Sequence, residues 1–325
     1  MLAQTTKIQD YKASKNTKLV SFEPSHSWLK RCDIDGVTIL QGGYRINPQG
    51  RLQKNDENVL IQFDGQSRYY GSIASLGSHE SPLTQRKEDN ARFGFAATLK
   101  PSDDLCELLV ILSHWDEDRA RAIGASLKGQ YSVMKNGIPI RCVVKQVITQ
   151  LEDEGTYQLL KPRLKPGRTL LIGSGQGTSQ EWIINADGYF TGNATENLAV
   201  SKLVKMIADD QQIRAASLKL GESTVNLDAV TQALKTKTYG SLHPEVWESI
   251  TDRYVGQWYE GFKNYLLKTY STELQSISNI VFSGGGAELI RNRAGKFAII
   301  PEDAQTSSVR GAYNHHASLL GVLNG

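Results

Sequence analysis

The stretch Asn279-Ile280-Val281-Phe282-Ser283-Gly284-Gly285-Gly286-Ala287-Glu288-Leu289-Ile290 constrains this chain more than any other. An apolar, partly β-branched run halts at three consecutive glycines, and a helix-forming segment follows at once. Three glycines in a row carry an entropic cost inside a strand or a helix. The sequence therefore predicts a sharp turn at which the backbone is laid bare. A strand, a glycine turn and a helix start together offer free N–H groups and the positive end of a helix dipole, where anionic or polar ligands bind. A plain tight turn between packed elements explains the same residues equally well, and the stretch alone leaves both readings open.

At 325 residues the chain is long enough for two ordinary domains. No apolar run reaches the length needed to span a bilayer. The polar segment Met1 to Lys18 has no apolar centre, which argues against a secretory signal. Cys32, Cys106 and Cys142 lie far apart, which excludes a disulfide framework and a cysteine zinc site and fits a reducing, cytoplasmic setting. A net charge of +3 without a long basic block gives no electrostatic footprint for direct nucleic-acid binding. His315 and His316 read as a polar helix face rather than as a metal site.

Taken in order, residues 1–17 read as a polar arm. Strands are expected at Lys18–Phe22, Val37–Leu40 and Val59–Phe63, the last entering a hairpin at Asp64-Gly65 with its return strand over Ser67–Gly71. A helix is expected over 84–98. Leu105–Leu112 reads as a strand buried on both faces, and a helix over Asp116–Leu127 follows it. Asn136-Gly137 predicts a hairpin into Ile138–Ile148. Lys161–Gly167, with two prolines and a glycine, is the expected domain crossing. Thr169–Ile172 then runs into Gly173-Ser174-Gly175-Gln176-Gly177-Thr178, a second strand-into-glycine turn, with a return strand over Glu181–Asn185. Thr195 is placed as a helix cap. The longest helix is expected from Pro244 to about Tyr270, with Val246, Ile250, Tyr254, Trp258, Phe262 and Leu266 as a core stripe. A strand at Phe297–Ile300 and a helix from about Ser307 close the chain.

Three glycine- or serine-rich turns, Glu23–Ser27, Gly173–Thr178 and Ser283–Gly286, each follow a short apolar strand. Two similar halves folded around a cleft would bring the three together, each to hold one part of a nucleotide. Phe282–Ile290 resembles the adenosine-side motif of the actin-like ATPases, most of all their plasmid-segregation (ParM/StbA-like) branch. Glu23, Ser25 and Lys30 stand at the offsets of that family's first phosphate hairpin, which has Asp and usually Gly at the first two positions. Gly175, Gly177 and Thr178 match its second hairpin, whereas Gly173 stands where the family has Asp. Asp64-Gly65 with Tyr69-Tyr70-Gly71, Leu108–Ser113, Val147–Gln150 and Pro301–Gly311 are similar to further segments in the same order, so that the likeness runs from Lys18 onward.

The resemblance implies an α/β, actin-like (ribonuclease H-like, duplicated) two-domain fold with a nucleotide cleft between the domains. Domain I would run over 18–161, completed by about 307–325, and domain II over 162–306. It implies ATP and Mg²⁺ as cofactors. The nucleotide would meet Ser25, Ser27, Lys30, Gly175, Gln176, Gly177, Thr178, Ser283, Gly284, Gly285, Gly286 and Glu288. Glu23 would hold Mg²⁺ through water, and Gln150 would orient the attacking water. Phosphoryl transfer is mostly positioning plus charge neutralisation around Mg²⁺, so the loss of one acid at Gly173, and of a backbone donor at Pro24, weakens the expectation of brisk hydrolysis. An amide at Gln150 cannot take a proton from water.

Two outcomes are expected from this reading. One is a nucleotide-dependent filament, assembled from copies of this chain, that positions DNA through an adaptor protein. The other is a scaffold that assembles or binds partners without hydrolysis. A sugar or acetate kinase shares the fold but needs a base aimed at a substrate hydroxyl, and no Asp in a glycine-rich loop of the first half supplies one.

Overall fold

The computed structural model describes residues 16–25, 27–50, 52–72, 74, 87–195, 198–296 and 298–321. The polar arm expected over 1–17 lies, but for its last two residues, outside them, as do 84–86 and Phe297. The chain divides into two compact units, Met1–Arg163 with Thr306–Gly325, and Leu164–Gln305.

In the first unit the chain runs through β1 (Thr17–Pro24), β2 (Trp28–Asp33), β3 (Gly36–Gln41), β4 (Tyr44–Ile46), β5 (Asn58–Phe63), β6 (Gln66–Gly71), α1 (Lys87–Thr98), β7 (Glu107–Ser113), α2 (Glu117–Leu127), β8 (Gly129–Lys135), β9 (Ile138–Gln150) and α3 (Glu154–Leu160). Among the described residues these strands form a sheet in the order β3-β2-β1-β7-β9-β8-β5-β6-β4. The hairpin turns follow from their residues. Asp64 and Gly65 (φ 46° and 74°), like Asn136 and Gly137 (51° and 89°), take the paired positive φ of a type I′ turn, which these residue types tolerate. Asp116 caps α2 by accepting a hydrogen bond from the Arg119 amide at 2.9 Å. Strands β2 and β4 were not foreseen; in β2, Trp28–Asp33 mixes Lys30, Arg31 and Asp33 into its run, and charge hides a strand whose polar residues are paired internally. Arg31 is fully buried and forks onto Asp103 at 2.6 and 2.8 Å.

The second unit comprises β10 (Arg168–Ser174), β11 (Ser179–Ile184), β12 (Phe190–Thr195), α4 (Val200–Ala208), α5 (Gln211–Lys219), α6 (Leu227–Thr236), α7 (Pro244–Thr269), β13 (Ile277–Ser283), α8 (Gly284–Ile290) and β14 (Ala298–Ile299). Its sheet order is β12-β11-β10-β13-β14. Helix α7 starts on Pro244, as expected, and buries Trp247, Ile250, Val255, Trp258, Tyr259, Phe262 and Leu266, whereas Val246 and Tyr254 of the expected stripe are only partly covered. Thr195 does not cap a helix. It ends β12, in register with Ser179, and α4 begins five residues later at Val200.

The chain then returns to the first unit as α9 (Ser307–Leu319). Its Val309, Ala312, Tyr313 and Ala317 pack with Leu19, Leu109, Ile111 and Ile148 of the sheet. Gly155 of α3 and Gly311 of α9 let the two helices touch backbone to backbone: a Cβ on Gly311 would lie 1.8 Å from the Gly155 carbonyl oxygen.

Both sheets share one plan. An antiparallel three-stranded meander (β3-β2-β1, β12-β11-β10) continues through its first strand into two parallel partners (β7 and β9, β13 and β14). The same five-strand order, built twice from unlike sequence, is a duplicated architecture.

Candidate functional site

In open sheets with parallel strands, ligands gather beyond the strands' carboxyl ends. In the first unit β1, β7 and β9 are parallel and end along one sheet edge, with Phe22 in register with Leu112 and Ser113 with Gln150. Glu23 and Lys30 are direct cross-strand partners there, and Lys30 Nζ donates to Glu23 Oε1 at 2.5 Å. Both side chains are almost wholly buried. Burial pulls the Lys30 ammonium's pKa down, but Glu23, with smaller help from Glu152 and Asp153, outweighs it and holds the pKa above the ordinary lysine value. Glu23 Oε2 is buried with no hydrogen-bond partner among the described residues. Ser25 closes the turn itself: its hydroxyl donates to the Trp28 carbonyl at 2.7 Å and accepts from the Trp28 amide at 3.2 Å. The Ser27 carbonyl accepts from the Gly42 amide.

Gln150 is firmly held. Its amide nitrogen donates to Ser113 Oγ at 3.1 Å, and its oxygen lies 3.0 Å from His316 Nε2. Burial, reinforced by His315, drives the His316 pKa down to about 4, so the ring is neutral at ordinary pH and Nε2–H is the donor to Gln150. His316 thus belongs to the core and not to the polar helix face expected from sequence. Glu152 and Asp153, which sequence reading passed over, follow directly after β9 and bear electrostatically on Lys30. Their signal was position: two acids immediately past a parallel strand's end.

In the second unit, hairpin β10–β11 repeats the first with the same spacing, and Gly173 and Gln180 occupy the register that Glu23 and Lys30 hold. The turn over Gly175–Thr178 is closed by the Gly175 amide on the Thr178 carbonyl. The start of α4 leans on it, Val200 and Ser201 donating to the carbonyls of Gly175 and Gln176. Gln176 Nε2 reaches Thr231 and Thr178 Oγ1 accepts from Gln180 Nε2, each at 3.2 Å. Strand β13 is parallel to β10 and brings Ser283 level with Gly173.

The three glycines form the first turn of α8 rather than a turn before it, and they do different work. Gly284 has φ 80°, and a Cβ there would lie 2.5 Å from the Ser174 carbonyl oxygen. A Cβ on Gly286 would strike Ser174 Oγ at 2.1 Å and meet the Trp258 ring at 3.1 Å. These two glycines let α8 sit on β10. Nothing lies within 4 Å of a Cβ built on Gly285, and that is the stretch of bare backbone a ligand could approach. Glu288 faces elsewhere, holding Arg291 at 2.6 Å and the Ala304 amide at 2.7 Å.

Among the described residues no three His, Cys, Asp or Glu side chains gather as a metal cage, and no helix is long and apolar enough to cross a membrane. A Mg²⁺ ion that keeps its waters and binds mainly through phosphate oxygens needs no such cage.

Neither protein-family models nor curated proteins match the chain. Solved structures do. An archaeal actin homologue aligns with TM-score 0.72 and 17% identity, covering 93% of this chain and 99% of that one. A ParM from Clostridium botulinum, solved as a 15-stranded filament, aligns with TM-score 0.75 and 12% identity over 94% and 100% of the two chains. The Bacillus thuringiensis ParM with ATP gives 0.65 and 15% over 95% and 100%. The chain has the actin-like, ParM-type fold. In that framework the hairpins β1–β2 and β10–β11 take corresponding places in the two sheets and differ in charge. One carries a closed ion pair, the other a glycine and a glutamine.

Proposed function

We propose that this chain is a nucleotide-binding actin-like protein that assembles with copies of itself. The observation that carries the reading is the open backbone face of Gly285 beside the Gly175–Thr178 turn, both at the carboxyl ends of the parallel pair β10 and β13. Bare N–H groups at such a place suit phosphate and ribose oxygens. In the second unit, Gly175–Thr178 and Gly284–Gly286 would hold the ligand through backbone. In the first unit, Glu23 and Lys30 form a closed charged pair at the corresponding hairpin. ATP with Mg²⁺ is the proposed ligand; the metal would neutralise phosphate charge. The archaeal homologue has been solved with ADP, which agrees with this choice. Work in DNA or plasmid positioning would run through an adaptor, because the net charge of +3 does not favour direct DNA contact.

A second reading, assembly without hydrolysis, draws on specific contacts. Lys30 is matched to Glu23, Gln150 is matched to Ser113 and His316, and Gly173 supplies no acid. The deciding experiment is light scattering against protein concentration with ATP, with ADP and with neither, in Mg²⁺, alongside phosphate release. Assembly above a threshold only with ATP, with phosphate released, supports the filament ATPase. Assembly without phosphate release supports the scaffold. Absence of both binding and assembly overturns the proposal.

A further inference from the structure

Directly behind the Gly175–Thr178 turn lies a buried polar seam. Ser174 and Ser179 face each other across β10–β11, and Glu181 stands two residues further on the same face of β11. That face is otherwise the apolar core of the second unit. Ile172, the register partner of Glu181, packs there with Leu203, Phe262 and Ala287. Glu181 is 0% exposed. Ser174 Oγ, Ser179 Oγ and Glu181 Oε1 are all buried with no hydrogen-bond partner among the described residues. Glu181 Oε2 has only Tyr265, its hydroxyl 3.5 Å away, and Tyr270 beside it, both from α7 and its carboxyl end.

Among the described residues, no cation acts on Glu181 from a packed side. The neighbouring strand β10 presents Ile172 and β12 presents Asn193. Lys202 and Lys205 of α4 are exposed, and Lys263 of α7 is paired with Glu260 at the surface. Glu273 acts on Tyr270 and not directly on Glu181. A carboxylate so placed is costly, and the carboxylic acid is the comfortable form. Burial raises its pKa to about 7, the tyrosine hydroxyls opposing the rise.

We propose that Glu181 couples proton binding to polyanion binding at the turn in front of it: phosphate held at Gly175–Thr178 favours the protonated carboxyl, and the ionised carboxyl weakens phosphate binding. This rests on the nucleotide reading given above and adds to it a control of affinity by pH. Three residue steps along the strand separate Thr178 from Glu181, roughly 10 Å. Two negative charges at that range and the effective permittivity of a protein interior change an equilibrium about tenfold. The proton comes from solvent and returns to it, and no other group changes state.

The test measures affinity for a fluorescent ATP analogue with Mg²⁺ from about pH 6 to about pH 8.5, in the full chain and in Glu181→Gln, with Glu181→Leu as a second neutral variant. Proton uptake on binding is read near neutral pH by calorimetry in buffers of different ionisation enthalpy. The γ-phosphate's own titration is common to all three proteins and cancels. The expected result is a wild-type affinity that falls about tenfold further over this range than either variant's, with extra proton uptake in the wild type alone. Equal pH dependence in folded wild type and variants, with binding intact, overturns the coupling and leaves the nucleotide reading standing. Failure of every protein to bind at any pH overturns both.

Discussion

Glu23 and Lys30 neutralise each other across the first hairpin, in the register that Gly173 and Gln180 fill in the second. A lysine offered to a phosphate must first loosen from this carboxylate, so the first hairpin is a guarded cation rather than an open one. Its absence would expose the guard: Lys30→Met leaves a buried, uncompensated carboxylate and is expected to destabilise the protein by about 3–5 kcal/mol. The double change Glu23→Gln with Lys30→Met should recover most of that loss. Urea midpoints of wild type and the two variants check it, and equal midpoints for the single and double variants would refute the pairing.

The α8 glycines should separate by site. Gly286→Ala forces a methyl group against Ser174 and Trp258 and is expected to cost about 1–3 kcal/mol in denaturant unfolding. Gly285→Ala meets nothing, so stability should hold within about 0.5 kcal/mol. Its nucleotide affinity should drop by about tenfold or more if a ligand approaches that backbone, since a misfit of this kind costs roughly 1.4 kcal/mol or above.

Glu181 predicts a pH-dependent stability. Its folded pKa, about 7, stands above its ordinary 4.5, so the folded state holds the proton more tightly than the unfolded chain. The stability this group contributes is complete below about pH 4.5 and is lost as pH rises to about 7, a change of roughly 3 kcal/mol. Glu181→Gln should therefore unfold later than wild type at alkaline pH, with the gap closing toward pH 4.5. A constant gap across the range would count against burial as the cause.

His316 works in the opposite direction. Its folded pKa, about 4, lies below 6.5, so its contribution is complete above pH 6.5 and lost as pH falls to about 4, again roughly 3 kcal/mol. Ring protonation would also add a charge beside Gln150. His316→Gln should flatten this acid limb in a series of unfolding curves, and an unchanged limb would place the titration elsewhere.

Much of the fold was legible because its signals are local. Alternating strands with Asp64-Gly65 and Asn136-Gly137 turns, the apolar run of β7, and Pro244 before an aromatic stripe each carry their own cause. The order of glycine turns was legible too, and comparison with solved structures agrees on the fold. What escaped was non-local. Strand β2 was hidden because Arg31 finds its partner Asp103 seventy-two residues away. Thr195 has the residue type of a cap, but pairing with β11 uses it as strand. That Gly284 and Gly286 pack on Ser174 while Gly285 faces open space depends on β10, more than a hundred residues earlier. Gln150 could be placed at a strand end from sequence, but its engagement by His316 could not.

The Gly155–Gly311 contact has a consequence for synthesis. Residues 164–305 form a continuous unit that can pack as soon as they leave the ribosome. The first unit cannot complete the core around Leu19, Ile111 and Ile148 until α9 arrives with Val309, Ala312 and Tyr313. The half of the molecule made first is therefore the half finished last. Until then, the groove that α9 will fill is an apolar surface for the folding machinery of the cell to shield.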